Sequence, residues 1–231
     1  MKLFRLFKTA IMEILFPRVC SLCGMPLSGS QQFICSTCVE TRFDSAFSTN
    51  EDLLNLPESV NSRLALWKFD KGGYLQDLLH NLKYQRLTGV GIDLGIALGS
   101  KIKKEMPTIE ENVDEVLFLP VPLHPKKRKM RGFNQAYYIA KGIQEVLGGS
   151  IVSKSAVVRV KNTKTQTGFS LEKRRVNISK AFKVVDSDAI LDKNIVIVDD
   201  VFTTGATSFE LAQVLKEAGA ANIFITTVAQ A

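Results

Sequence analysis

Two adjacent carboxylates, Asp199 and Asp200, follow the apolar run Ile195 to Val198. A short loop of Thr203, Thr204, Gly205, Ala206 and Thr207 comes next and opens an amphipathic segment. In an open α/β sheet, ligands bind just beyond the carboxyl ends of the strands. Successive backbone N–H groups in such a loop, with a helix N-terminus behind them, form an anion-binding nest. The threonine hydroxyls add donors for phosphate oxygens, and Gly205 permits a positive φ or a close backbone approach. Two carboxylates beside a phosphate would repel it unless they accept hydrogen bonds from neighbouring sugar hydroxyls, with a divalent cation nearby. Phosphate on the loop and hydroxyls on the acids describe a ribose 5-phosphate. An apolar strand ending in Asp-Asp also resembles the magnesium-binding strand of a P-loop ATPase, but the chain contains no G-x-x-x-x-G-K-[ST]. A buried strand followed by a capped helix accounts for the elements, but not for an acid pair joined to a threonine-rich loop.

A second constellation lies near the start of the chain. Cys20 and Cys23 form one C-x-x-C and Cys35 and Cys38 another. Each knuckle converges two thiolates on one ion, and two knuckles complete a tetrahedral site. Gly24, Pro26 and Gly29 between them suit turns. Four sulfur ligands leave no open position for a catalytic water, so zinc here is structural. Four thiolates serve an iron–sulfur cluster equally well. A pair of disulfides does not suit a chain without an export signal.

The elements that must position these residues follow from periodicity. The chain has 231 residues, 45% hydrophobic and 23% charged, with a net charge of +7, which suits one α/β domain with a small appendage. The excess positive charge points to an anionic partner: phosphate, pyrophosphate, nucleic acid or a membrane surface. Leu3, Leu6, Phe7, Ile11, Ile14 and Leu15 recur at helical spacing up to Pro17, which predicts an amphipathic helix. Its basic face suits packing or a peripheral membrane contact. Arg5, Lys8 and Glu13 break the apolar run, so it does not read as a signal peptide, and no later stretch is long and uncharged enough to span a bilayer. A cytoplasmic location is expected. The polar residues 46–63 read as a linker between a zinc-ribbon module over 1–45 and an α/β domain over 64–231.

Within that domain, Leu64 to Phe69 is expected as a strand, with Trp67 and Phe69 in the core. Tyr74 to Tyr84 and Ile92 to Lys104 are expected as helices, and the glycines at 89, 91 and 95 as a turn and a helix face. Val116 to Pro120 reads as a strand, Gly132 to Leu147 as a helix, and Val157 to Val160 and Ile195 to Val198 as strands. Ser208 to Ala218 is expected as a helix and Ile223 to Val228 as the last strand. Strands alternating with helices predict a parallel sheet covered on both faces.

The segment VIVDDVFTTGAT resembles the motif with which type I phosphoribosyltransferases bind 5-phosphoribosyl pyrophosphate (PRPP). More of the chain resembles the ComF family of competence-associated proteins. The shared features are the double C-x-x-C, LKY at Leu82 to Tyr84, PVPLHPKKRKMRGFNQA at Pro120 to Ala136, TQTGFSLEKRRVN at Thr165 to Asn177, and the PRPP motif, in that order. The resemblance implies a type I phosphoribosyltransferase-like fold, a PRPP site served by magnesium, and a link to the uptake or use of transforming DNA. It names no acceptor.

The resemblance also implies roles for the remaining loops. After the strand ending at Pro120, relatives hold pyrophosphate on backbone amides. Prolines lack an N–H, so the donors here are those of Val121 and Leu123. Arg128 and Arg131, within the basic run Lys126 to Arg131, then neutralise pyrophosphate or meet a nucleic-acid backbone, and His124 adds a donor. Lys161 to Asn177, with Gln166, Arg174, Arg175 and Asn177, corresponds to a mobile loop that closes over PRPP. In the transferase reading Asp199 and Asp200 are the catalytic pair that holds the sugar during displacement of pyrophosphate at C1. His80 reads as a packing or surface residue, and Lys83 and Tyr84 receive no role. The net charge and the two basic segments also suit a non-catalytic, zinc-stabilised accessory that binds single-stranded DNA and partners of the uptake machinery.

Overall fold

The computed structural model describes residues 17–29, 31–46, 56–163 and 178–231. The expected N-terminal amphipathic helix, most of the polar segment after residue 46, and Gln166, Arg174, Arg175 and Asn177 lie outside the described residues. The chain divides into two compact units, Met1–Asp44 and Ser45–Ala231.

The first unit is built around its cysteines. Val19 bridges Pro26 in antiparallel fashion, and Cys20 N–H donates to Met25 C=O at 2.8 Å while Gly24 N–H returns to Cys20 C=O at 2.9 Å. Gly24 closes this knuckle at φ 73°, a conformation that costs glycine little. Ser21 N–H donates to Phe33 C=O, which brings up the second knuckle. There Cys35 caps the short helix α1 (Ser36–Thr41), its sulfur accepting Cys38 N–H at 3.4 Å.

In the second unit the strands are β1 (Ser62–Lys68), β2 (Val116–Pro120), β3 (Ser150–Ile151), β4 (Val157–Arg159), β5 (Phe182–Val184), β6 (Asn194–Phe202) and β7 (Asn222–Gln230). Five of them form one sheet in the order β1-β7-β6-β2-β3, parallel throughout. β4 and β5 form a separate antiparallel pair, so the run expected as Val157 to Val160 does not join the sheet. The main helices are α2 (Tyr74–Tyr84), α3 (Thr88–Glu105), α4 (Pro107–Glu111), α5 (Pro125–Arg131), α6 (Gln135–Leu147) and α7 (Ala206–Glu217).

Strand alternation sorts the core. Ile195 and Ile197 of β6 join Leu119, Ile223, Ile225, Phe182 and the α7 residues Leu211 and Leu215 in one apolar cluster. The alternate residues Val196 and Val198 are fully buried away from that cluster, where α6 packs on β2 and β6. Helices therefore cover both faces, as a parallel sheet requires.

Three sequence expectations change. The glycines at 89, 91 and 95 lie inside α3, which starts at Thr88, and they are buried. At Gly91 and Gly95 the role is close approach: a Cβ on Gly91 would stand 2.9 Å from Tyr138 Cβ, and one on Gly95 2.1 Å from Ile139 C=O and 2.8 Å from Gly142 Cα of α6. The expected helix from Gly132 is two helices. Pro125 starts α5, Gly132 ends it in the left-handed region, and Asn134 caps α6 by accepting Ala136 N–H. β6 runs on through the acid pair to Phe202 instead of stopping at Val198.

The α3–α6 contact gives a direct test. Gly142→Ala would place a methyl 2.1 Å from Ile92 C=O. Its urea midpoint is expected to fall by an amount worth about 1–3 kcal/mol, the usual cost of overpacking.

Candidate functional site

β6 is the central strand, paired with β7 on one side and β2 on the other. Asp199 stands opposite Thr227 of β7 in regular register. Successive strand residues set out toward opposite faces, but the two carboxylates hydrogen-bond to one another and Lys83 acts on both.

Asp200 is buried, 6% exposed, and its Oδ2 forms an ion pair with Lys83 Nζ from the last turn of α2. Burial opposes ionisation of Asp200, but Lys83 and, further off, Arg131 outweigh it and hold the carboxyl below its usual range. Burial likewise opposes the Lys83 charge, and Asp200 with Asp199 restores it, leaving the ammonium above its ordinary pKa. Asp199 behaves oppositely. Burial, then the neighbouring charge of Asp200, pushes its carboxyl well above the carboxylate range, although its Oδ1 accepts Asp200 N–H at 2.9 Å.

Arg159, at the end of β4, also feels the charge of Asp199. It is 9% exposed. Its Nη2 donates to Thr163 Oγ1 at 2.5 Å, its guanidinium lies 5.3 Å from the Phe182 ring centroid, and its Nε has no partner among the described residues. Burial pulls its pKa down. Lys127 of α5 is also pulled down, by burial and then by the charges of Arg159 and Arg131. Arg131 donates to Gln135 Oε1 and sits 5.8 Å from the Tyr84 ring centroid. Lys83, Arg131 and Arg159 thus act on the two acids, one of which is disposed to be neutral, and Arg159 is buried. A buried cation whose acid partner is disposed to be neutral calls for an anion.

The loop after β6 carries the expected phosphate-binding residues. Gly205 takes φ 71° as the residue before α7, and a Cβ there would meet the Phe209 ring at 2.4 Å and the Phe202 ring at 2.8 Å. Those rings stack edge to face, centroids 5.6 Å apart, and turn the chain tightly into α7. Thr203 is exposed and Thr207 half-buried. Ala206 is buried, and the buried hydroxyl of Thr204 has no hydrogen-bond partner among the described residues. The donors of a helix N-terminus and an orphaned hydroxyl therefore share one turn.

Of the residues expected on the pyrophosphate side, Val121 spends its N–H on Val198 C=O at 2.9 Å. That bond extends the β2–β6 ladder, so the amide is not a donor to an anion, and Leu123 is left for that role. Asn134 Nδ2 donates to Val121 C=O at 3.0 Å, which ties this segment to the start of α6. His124 caps α5, its Nδ1 accepting Lys126 N–H at 3.2 Å. Arg131 is near enough to lower the Asp200 carboxyl, while Arg128 lines a cavity beside α6.

Sequence reasoning gave no role to Lys83 and did not name Arg159. Lys83 carried a signal in the LKY segment. Arg159 stood as a lone cation among valines, a pattern that reads as an ordinary strand.

In the first unit the Sγ atoms of Cys20, Cys23, Cys35 and Cys38 all lie within 4.8 Å of one another, with Cys23 and Cys35 at 3.6 Å. A tetrahedral zinc site with about 2.3 Å bonds needs sulfurs about 3.8 Å apart, so the donor set fits. Burial raises Cys20, but the N–H groups of Cys35 and Leu22, at 3.4 and 3.5 Å from its sulfur, bring it down to about 6. Burial and the neighbouring sulfurs push Cys38 up to about 12. The four thiols can hold one metal ion.

The chain is 30% identical over 218 residues to the DNA utilization protein YhgH of Shigella flexneri, covering 90% of this chain and 94% of that protein. It is 30% identical over 158 residues to competence protein F of Haemophilus influenzae, 68% of each. No protein-family model matches it. Among solved structures, the glutamine PRPP amidotransferase of B. subtilis complexed with ADP and GMP overlaps 60% of this chain and 26% of its own, at TM-score 0.39 and 19% identity. No helix among the described residues is long and apolar enough to cross a membrane.

Proposed function

The chain belongs to the ComF family, that of competence protein F and the DNA utilization protein YhgH, and on that premise we propose that its second unit binds PRPP and that the protein serves the uptake and use of DNA. The observation that carries the PRPP reading is the convergence of Lys83, Arg131 and Arg159 on Asp199 and Asp200, beside a threonine-rich helix start. The 5-phosphate takes the amides of Thr203 to Thr207 and the unpartnered hydroxyl of Thr204. The ribose hydroxyls donate to the acid pair, and the pyrophosphate meets Arg159, Arg131 and the Leu123 amide.

The acids are oxygen donors of the kind magnesium takes, so the residues fit that ion. Bound with PRPP, magnesium supplies charge neutralisation on the pyrophosphate oxygens. The chain's own residues fix the sugar and stabilise the leaving group. In a transfer, the bond from C1 to the pyrophosphate oxygen breaks with its electron pair leaving on pyrophosphate, while the acceptor's nucleophile bonds to C1. The nucleophile belongs to the acceptor. The four thiolates hold zinc, and with its shell filled by sulfur the ion is structural.

Calorimetric titration of magnesium–PRPP into the metal-loaded full chain tests this reading. Saturable heat is expected, with ribose 5-phosphate and pyrophosphate each competing more weakly than PRPP. A folded, metal-loaded protein that gives no heat removes the proposal.

A further inference from the structure

A cavity of about 670 Å³ opens between the α5–α6 elbow and β4, within the usual range of about 300–1,000 Å³ for small-molecule pockets. It adjoins the pyrophosphate side of the site described above at Leu123 and Arg159, but neither acid and no residue of the threonine loop lines it. Its floor is apolar, from Leu119, Val152 and Val157.

Two properties define what it takes. Three aromatic side chains, Phe133, Tyr137 and Tyr138, line it and all are half-buried, so each presents part of its ring to the opening. Tyr137 and Tyr138 meet edge to face at 5.7 Å, as do Phe133 and Tyr138. This leaves ring faces directed along more than one wall. The charge is of one sign: Arg128, Lys129, Lys154 and Arg159 line the cavity, and no acidic side chain does so among the described residues. Lys154 Nζ rests 4.0 Å from the Tyr137 ring centroid, so that face meets a rim cation, which a stacked base displaces toward its own phosphate.

We propose that this cavity binds a nucleotide, the base stacked on Tyr137 and Phe133 and the phosphate held by Arg128, Lys129 and Lys154. Stacking surfaces beside a cationic rim are the combination that takes bases without regard to sequence. A free mononucleotide and one nucleotide of a single DNA strand present the same chemistry. The proposal stands whether or not the acid pair holds PRPP.

The test uses the metal-loaded full chain at low ionic strength and measures binding of an oligothymidylate of about ten nucleotides, an abasic strand of equal phosphate count, and thymidine monophosphate. The wild type is expected to bind the oligothymidylate at least about fivefold more tightly than the abasic strand, the lower end of what one base–aromatic stack gives. Tyr137→Ala is expected to erase most of that difference, Tyr137→Phe to keep it, and magnesium–PRPP binding to be unchanged in both. If Tyr137→Ala does not fold, Lys154→Glu on the exposed rim replaces it, with loss of affinity for both strands expected. Monophosphate binding that responds to Tyr137→Ala in the same way assigns the cavity to free nucleotides. Binding of the strand alone assigns it to DNA. Equal affinity for thymidylate and abasic strands, or a Tyr137→Ala protein indistinguishable from wild type, overturns the proposal.

Discussion

Asp199→Asn and Asp200→Asn are each expected to weaken magnesium–PRPP binding by about 10- to 100-fold, the range for loss of a hydrogen bond to a charged group, and the double variant is expected to show no binding by calorimetry. The same substitutions move stability in opposite directions. Asp200 is held below its usual pKa by Lys83. It therefore contributes stability that is present above about pH 4, the unfolded carboxyl value, and lost as pH falls through its depressed folded value. Asp200→Asn forfeits this and strands the Lys83 ammonium, so its melting temperature falls at neutral pH. Asp199 is raised, so its contribution is present below about pH 4 and lost as pH rises through the raised folded value. Asp199→Asn removes that cost and melts higher than wild type at neutral pH. Thermal melts of the two single variants between pH 4 and 8, with binding measured on the same samples, check both halves. Equal binding losses with opposite stability changes separate a ligand-holding role from a structural one.

The second large effect concerns the metal. Among the described residues of the first unit only Cys20, Ile34, Cys35 and Cys38 are buried. Three thiols and one isoleucine are no hydrophobic core, and a unit this small needs a staple. Structural zinc contributes about 10–16 kcal/mol of apparent binding energy at neutral pH in comparable peptides, far more than that burial supplies. Cys38→Ser, or chelation of the wild type, is expected to remove the metal and melt the first unit. Metal analysis with calorimetry reads both outcomes. Visible absorbance in the purified protein would replace zinc with an iron–sulfur cluster.

The family and the parallel α/β class were legible because their signals are local. α2 was read with its observed limits because Leu75, Leu78, Leu79 and Leu82 mark one buried stripe. The start of α3 was not, because glycine at 89, 91 and 95 lowers helix propensity, and only the packed α6, with Gly142 against Gly95 and Tyr138 against Gly91, explains two of them. β6 continues through Asp199 and Asp200 because β7 runs beside it as far as Phe202, and pairing overrides the poor strand propensity of aspartate. The α5 turn of helix was hidden in a run of cations that reads as solvated surface, although Pro125 is a good first helical residue. The site was half legible. The acids and the threonine loop lie in one continuous segment, whereas Lys83 and Arg159 come from α2 and β4 and meet the acids only in the folded chain. Val121 was assigned a donor it does not have to give, since spacing does not reveal which amides the ladder uses.

The strand order also governs how the protein is made. β1 finds its place in the sheet only beside β7, which lies between it and β6. On the ribosome β1 emerges long before its neighbour, carrying Leu64, Leu66 and Trp67 that will all be buried, and it waits unpaired while α2 through α7 are synthesised. Late pairing of distant strands is slow and leaves apolar edges exposed. The sheet is thus completed by its last strand in sequence, and the nascent chain depends on being shielded until β7 has been translated.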